Sequence, residues 1–274
     1  MRPAIEKVVA GRVDAMLAAG PPADLVGSFA LPVPSLVICS MLGVPYSDHE
    51  YFESRTRTLV TFTASKEERE TAGGELLTYL IRLVSIKQRF PGDDLITKLL
   101  ASEELEPREI AGVGLLLLIA GHETTANNIA IGVIMLLLHP QWIGDPGTVD
   151  EVLRYASVAD LVSLRVAVAD VEISGQLIKA GEGIVPMVAA ANHDAAAFER
   201  AAEFDPSRPS RNHVAFGHGA HLCLGQHLVR AEIEIAYQAL FGRIPTLRLA
   251  QPVEELPFKY NGIIFGVHAL PVTW

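Results

Sequence analysis

The sequence predicts a mainly α fold with minor β, a helical bundle carrying short β-sheets. Three observations carry this prediction: apolar residues recur at helical spacing through most of the first half, residues 110–138 are apolar almost without interruption, and short alternating segments beside glycines are confined to residues 171–188 and the region from Leu247 onward. At 274 residues, 50% hydrophobic and 20% charged, the chain can bury a sizeable core, and it reads as one domain over residues 1–274. No internal repeat or low-complexity tract divides it.

Residues 3–16 place Ile5, Val8, Val9, Val13 and Met16 on one helical face, and Pro21-Pro22 ends that helix. Residues 31–42, 47–62 and 66–89 read as further helices, separated by the breaks Gly43-Val44-Pro45 and Phe90-Pro91-Gly92. Residues 110–138 read as one long helix, apolar on all faces and therefore buried, with His122-Glu123-Thr124-Thr125-Ala126-Asn127-Asn128 at its centre. Polar groups there need partners, because burial without a hydrogen bond costs free energy. A membrane span is not predicted: the apolar run 110–121 is shorter than the ~18 residues a span needs, and a central Glu is costly in lipid. Residues 171–188 alternate around Ser174-Gly175 and Gly181-Glu182-Gly183 as hairpin strands, and another β region follows Leu247 with a turn at Asn261-Gly262. Between these lies a helix over residues 226–241.

The formal charge is −10, from 22 basic and 32 acidic side chains, which argues against a nucleic-acid partner. Residues 206–231 contain no Asp or Glu but include Arg208, Arg211, His213, His218, His221, His227 and Arg230, so an electropositive face is expected there. Near the start only Arg2 is basic and no continuous apolar run follows, so no signal peptide or membrane anchor is expected. Two cysteines far apart fit a reducing, cytoplasmic setting.

Cys223 lies in Phe216-Gly217-His218-Gly219-Ala220-His221-Leu222-Cys223-Leu224-Gly225, directly before a helix. Glycine permits positive φ and close backbone approach, so peptide N–H groups can face the sulfur, and a following helix N-terminus adds partial positive charge. Both favour a thiolate, the form that binds metal. The residues alone also allow a buried structural cysteine, or a zinc site with His218, His221 and His227. Zinc cysteines usually come in close pairs, and Cys39 is remote. The run resembles the cytochrome P-450 family, the haem-thiolate monooxygenases, whose signature is Phe-Gly-x-Gly-x-His-x-Cys-x-Gly. Phe216, Gly217, Gly219, His221, Cys223 and Gly225 fill every fixed position.

Two further motifs follow the same family order. Ala120-Gly121-His122-Glu123-Thr124-Thr125 resembles its oxygen-activation motif. By that resemblance Ala120 and Gly121 line the cofactor, with Gly121 letting the backbone lie close over it, Thr124 hydrogen-bonds dioxygen, and Glu123 relays protons. The residues alone equally allow Thr124 and Thr125 to bond back to carbonyls one turn earlier. His122 is expected off the cofactor face. In Glu151-Val152-Leu153-Arg154 the first and last residues share a helix face, and Phe204-Asp205-Pro206-Ser207-Arg208 supplies a third partner, Arg208. The resemblance makes these a structural network that holds the cysteine loop through bidentate bonds. Arg165 and His221 would pair with cofactor propionates, although either is also ordinary as a surface charge.

The resemblance implies a cytochrome P-450 fold around haem b (iron protoporphyrin IX), with Cys223 as the axial iron ligand. It implies a monooxygenase that uses O2 to hydroxylate an apolar small molecule, with ferredoxin and its reductase as electron donors. Leu117, Ala120, residues 161–164 and Ile263-Ile264 would touch substrate. By the same comparison Met1 falls within a helix about one third of the way into a typical member, so the fold is expected to lack its N-terminal part. The alternative is an inactive truncated remnant, with or without haem.

Overall fold

The computed structural model describes residues 1–209 and 212–274. Helix α1 (Arg2–Ala19) has Pro3 in its first turn, where a missing N–H leaves nothing unsatisfied, and buries Ile5, Val9, Val13 and Met16 as one stripe. The chain then forms a two-residue strand β1 (Ala23–Asp24), a π-helical turn (Val26–Ala30) and α2 (Pro32–Leu42), which closes on Gly43 at φ 71. A 3-10 turn (Tyr46–Asp48) leads into α3 (His49–Val60). Helix α4 (Lys66–Arg89) opens with a capping box, Ser65 and Glu68 each bonding the other's backbone N–H. Helix α5 (Leu95–Ser102), capped by Asp94, fills a segment the hydrophobic pattern does not mark.

The expected single helix over residues 110–138 is two helices, α6 (Pro107–Gly121) and α7 (Glu123–Leu138), broken at His122. The break has a packing cause. Ile110, Ala111 and Leu118 of α6 join a core with α3, α4 and α5, whereas Ile129, Val133 and Leu136 of α7 join a second core with α1, α8 (Thr148–Ala156) and α10 (Gln226–Arg243). Helix α2 serves both, giving Val33 and Val37 to one and Ile38, Cys39 and Leu42 to the other.

The β regions are shorter than the alternation predicts. Strand β2 (Arg165–Val166) pairs with β5 (Gly183–Ile184), and β3 (Val171–Ile173) with β4 (Gln176–Ile178), all antiparallel; the next residues turn into a short helix, α9 (Val188–Asn192). After α10 come β6 (Arg248–Leu249), β7 (Phe258–Lys259), β8 (Gly266–Val267) and β9 (Pro271–Thr273). Sheet order β1-β9-β6 ties the N-terminal part to the end of the chain, and Leu270 N–H donates to Asp24 Oδ1 at 2.7 Å. Asn261-Gly262 is not a two-residue hairpin turn: β7 and β8 pair Lys259 with Gly266, and Gly262 instead bridges to Thr61 after α3.

Gly132 lets α7 and α10 meet, since a Cβ there would overlap the Tyr237 hydroxyl, which donates to Asn128 O at 2.9 Å. Gly132→Ala is therefore expected to cost about 1–3 kcal/mol by overpacking in chemical denaturation. Gly11 in α1 has open space where a Cβ would go, so Gly11→Ala should instead gain about 0.5–1 kcal/mol. Glu232 on α10 is buried with one carboxylate oxygen unbonded, and burial pushes its carboxyl up to about 8. Between its ordinary value and that point the unfolded chain has released a proton that the folded chain keeps, so stability falls as pH rises through this window. Glu232→Gln should flatten the fall, measured as unfolding free energy against pH from 5 to 8.

Candidate active site

The thiol sits where an irregular loop enters α10. Gly217 and Gly219 adopt φ 74 and 81, with open space where side chains would go, and a 3-10 turn spans Gly219–His221. Gly217 N–H donates to Val214 O at 2.9 Å and Cys223 N–H to Phe216 O at 2.9 Å, which folds the loop back on itself. Gly225 precedes α10 and supplies no side-chain cap; Gln226 N–H donates to Cys223 O at 3.4 Å, so the helix N-terminus begins two residues after the thiol. A Cβ on Gly225 would come to 4.0 Å from the Cys223 Sγ; glycine leaves that side of the half-buried thiol open. Cys39 is the opposite case. Burial pushes it up to about 12, so it stays a thiol.

Around the break, Thr124 Oγ1 donates to Ala120 O at 2.8 Å and Thr125 Oγ1 to Gly121 O at 3.2 Å, so hydroxyls take carbonyls one turn back at the step. His122 is buried, bonded to Leu118 O at 2.9 Å and to Thr56 Oγ1 at 3.0 Å, which spans from α6 to α3. Gly121 also has a packing role. A Cβ there would meet the Ile38 side chain at 3.1 Å, so its missing side chain admits α2. Ala120 is open instead, in line with exposed Gly112 and Leu116 at i, i+4 and i+8 along α6. The helix predicted to be buried all round thus leaves one apolar stripe uncovered, leading to Thr124.

Glu123 is buried. Its carboxylate lies 3.5 Å from Lys259 Nζ on β7 and 3.4 Å from Asn127 Nδ2, and Asn127 also donates to Glu123 O at 2.7 Å. These residues line one wall of a cleft of about 1220 Å3 that also takes in Thr58, Thr61, Asn261 and Ile264. Of the residues named for substrate contact, Val162 and Leu164 are exposed, whereas Ile264 is buried.

Glu151, Arg154 and Arg208 meet with almost no solvent contact. Arg154 binds Glu151 in a fork, with Nε and one terminal nitrogen each at 2.8 Å from a carboxylate oxygen, and its remaining N–H groups go to Asn192 O, Ala201 O and Glu203 O. Arg208 Nε reaches Glu151 Oε1 at 3.1 Å, and its other nitrogens donate to Glu199 O, Arg200 O and Glu203 O. Asn192, which no motif marks, carries this cluster toward the loop: its side chain donates to Ser157 and accepts from Val214 N–H at 2.8 Å.

The expected electropositive face is smaller than its composition. Arg208 is internal, Arg230 pairs with Asp150 at 2.9 Å, and His213 is buried beside the same carboxylate, while Arg211 lies outside the described residues. His218, His221 and His227 remain exposed. Among the described residues neither Arg165 nor His221 pairs with a carboxylate, and no group of three or more His, Cys, Asp and Glu could hold a metal ion, which leaves the zinc alternative without a site. No helix of the described residues is long and apolar enough to cross a membrane.

A half-buried thiol beside a helix N-terminus, a guanidinium and an imidazole without carboxylate partners among the described residues, and an open apolar stripe fit a flat, apolar, thiolate-bound group that carries two carboxylates, which is the chemistry of haem. The family model for cytochrome P450 matches residues 146–248. The chain is 47% identical to the vitamin D3 dihydroxylase of Streptomyces griseolus, over 100% of this chain and 70% of that one. It is also 47% identical to the pentalenic acid synthase of Streptomyces avermitilis, over 100% and 71%. Among solved structures it resembles cytochrome P450 MoxA from Nonomuraea recticatena, with a TM-score of 0.88 and 48% identity over 100% of this chain and 71% of that one. It resembles as well the mycinamicin VIII C21 methyl hydroxylase MycCI from Micromonospora griseorubida, bound to mycinamicin VIII, with a TM-score of 0.94 and 41% identity over 100% and 73%. These relatives favour a monooxygenase over an inactive remnant. With haem as its cofactor and oxidation of small molecules as its activity, the chain belongs to the cytochrome P450 family.

Proposed function

We propose that Cys223 is the axial thiolate and that residues 1–274 form one domain hydroxylating an apolar small molecule in the cytoplasm. The observation that carries this reading is the free, half-buried Cys223 at the start of α10, in a chain whose other cysteine is sealed in the core. Haem, when bound, supplies the redox chemistry that activates O2. Cys223 would hold the iron and donate electron density to it, and the α10 N-terminus would steady the negative charge of the sulfur. Arg165 and His221, exposed and without carboxylate partners among the described residues, would hold the two propionates, and Ala120 would keep the face of α6 flat where the ring lies.

Thr124 already donates its proton to Ala120 O, so what its hydroxyl offers across the open stripe is acceptor capacity. It therefore orients a proton-bearing partner. Glu123 faces the cleft, held by Lys259 and Asn127, and passes protons from cleft water toward Thr124. Exposed apolar side chains at Leu116, Val162 and Leu164 suit a hydrophobic substrate; relatives named for vitamin D3 and for a mycaminosyltylactone indicate bulky ones. Ferredoxin, reduced by its reductase, docks on the loop side, where His218 and His227 face solvent and residues 206–231 contain no Asp or Glu to oppose an acidic partner.

The reduced, carbon-monoxide-treated protein is expected to show the red-shifted band of thiolate ligation, and Cys223→Ser to lose it; an unchanged band in that variant rules out Cys223. Thr124→Ala should lower product formed per O2 consumed by about tenfold or more, measured as coupling with an oxidised substrate, and unchanged coupling removes Thr124 from the proton path.

A further inference from the structure

We propose that Asp150, bridging His213 and Arg230, is a positioning residue that fixes the Phe216 peptide and thereby the surroundings of the Cys223 sulfur, a role resting on the reading of Cys223 as iron ligand. Asp150 and Glu151 are neighbours on α8 and project about 100° apart, so they serve different clusters. Glu151 enters the buried guanidinium pair, and Asp150 reaches the loop.

Asp150 Oδ1 accepts from Arg230 Nε at 2.9 Å and lies 3.5 Å from His213 Nε2. The other ring nitrogen of His213 accepts from Ala215 N–H at 3.2 Å, which puts the histidine proton on Nε2, facing the carboxylate. His213 and Arg230 together hold the Asp150 carboxyl at about 2 despite its partial burial. Both partners then touch one ring. The Arg230 guanidinium lies 4.6 Å from the Phe216 centroid and the His213 ring 5.7 Å from it. Phe216 O in turn accepts from Cys223 N–H at 2.9 Å, so a turn of Phe216 breaks the bond that closes the loop over the thiol. Water entering there would hydrogen-bond the thiolate, weaken its donation and raise the potential of the iron.

The test needs no turnover. In the haem-free chain, iodoacetamide alkylation of Cys223 is followed by mass spectrometry with buried Cys39 as internal control for general loosening. Asp150→Asn and Arg230→Met should each speed Cys223 alkylation several-fold while Cys39 stays protected, and Arg230→Lys should stay close to the parent rate. The two variants alter charge in opposite senses, so a purely electrostatic role would move the two rates in opposite directions. The double variant should exceed neither single one by much. In the haem-loaded protein each loosening variant should raise the reduction potential, by about 59 mV for every tenfold change in the one-electron equilibrium. Opposite or unchanged rates, or acceleration shared by Cys39, overturn the clamp; if Asp150→Asn does not fold, the two Arg230 variants still decide it. Absence of the carbon-monoxide band would overturn the ligand reading, while the alkylation rates would still judge the positioning.

Discussion

One carboxylate facing two guanidiniums in the core is the constraint on which the rest of this structure depends. Glu151, Arg154 and Arg208 are almost wholly excluded from water, and charges so placed persist only when every donor finds an acceptor. Arg154 meets that demand with all five N–H groups, two on Glu151 and three on the carbonyls of Asn192, Ala201 and Glu203. Those carbonyls belong to a segment with little regular structure, whose backbone would otherwise have few internal partners. Removing one member would leave a buried charge uncompensated, a loss of about 3–5 kcal/mol. The cluster therefore shapes the irregular chain between α9 and the thiol loop.

From there the constraint passes to the site through short links. Asn192 gives its carbonyl to Arg154 and its side-chain oxygen to Val214 N–H, so the buried charge pair and the start of the thiol loop share one residue. Asp150, one position before Glu151, reaches the same loop from the other side through His213 and Arg230. Helix α8 thus fixes the loop at two points, and its own place is set by packing of Val152 and Leu153 in the core shared with α7 and α10. A hydrophobic register on one helix positions polar groups that in turn position a sulfur.

What the sequence revealed and what it hid divide along the range of the interactions involved. The bounds of α4 were legible because the break Phe90-Pro91-Gly92 after Arg89 is a local signal, and the capping box from Ser65 to Glu68 that the structure shows at its start is local too. The thiol loop was legible for the same reason: its glycines, its cysteine and the helix that follows are contiguous. Pairing of β1 with β9 was not, because Asp24 and Pro271 are joined only by the closed fold and two-residue strands carry no alternation. The contact of Gly121 with Ile38 was hidden as well, since a glycine shows that something comes close without showing what. Asn192 and Asp150 carried no signal of their own; each becomes recognisable only when a carbonyl or ring from tens of residues away arrives beside it.

The break at His122 shows how packing and chemistry came to share one place. A straight helix through residues 110–138 would have to satisfy two separate cores with a single axis, and α6 and α7 resolve this by parting where the cores meet. Parting a helix frees carbonyls, and here the hydroxyls of Thr124 and Thr125 take those of Ala120 and Gly121. His122 pins the joint to α3, and Ile38 fills the space that Gly121 leaves. With those faces occupied, the remaining one carries Ala120 and Thr124 toward open space, and Glu123 turns to the cleft beside Lys259. Polar side chains that a continuous apolar helix could not have tolerated are stable because the helix is interrupted, and the interruption supplies both the partners they need and the opening they face.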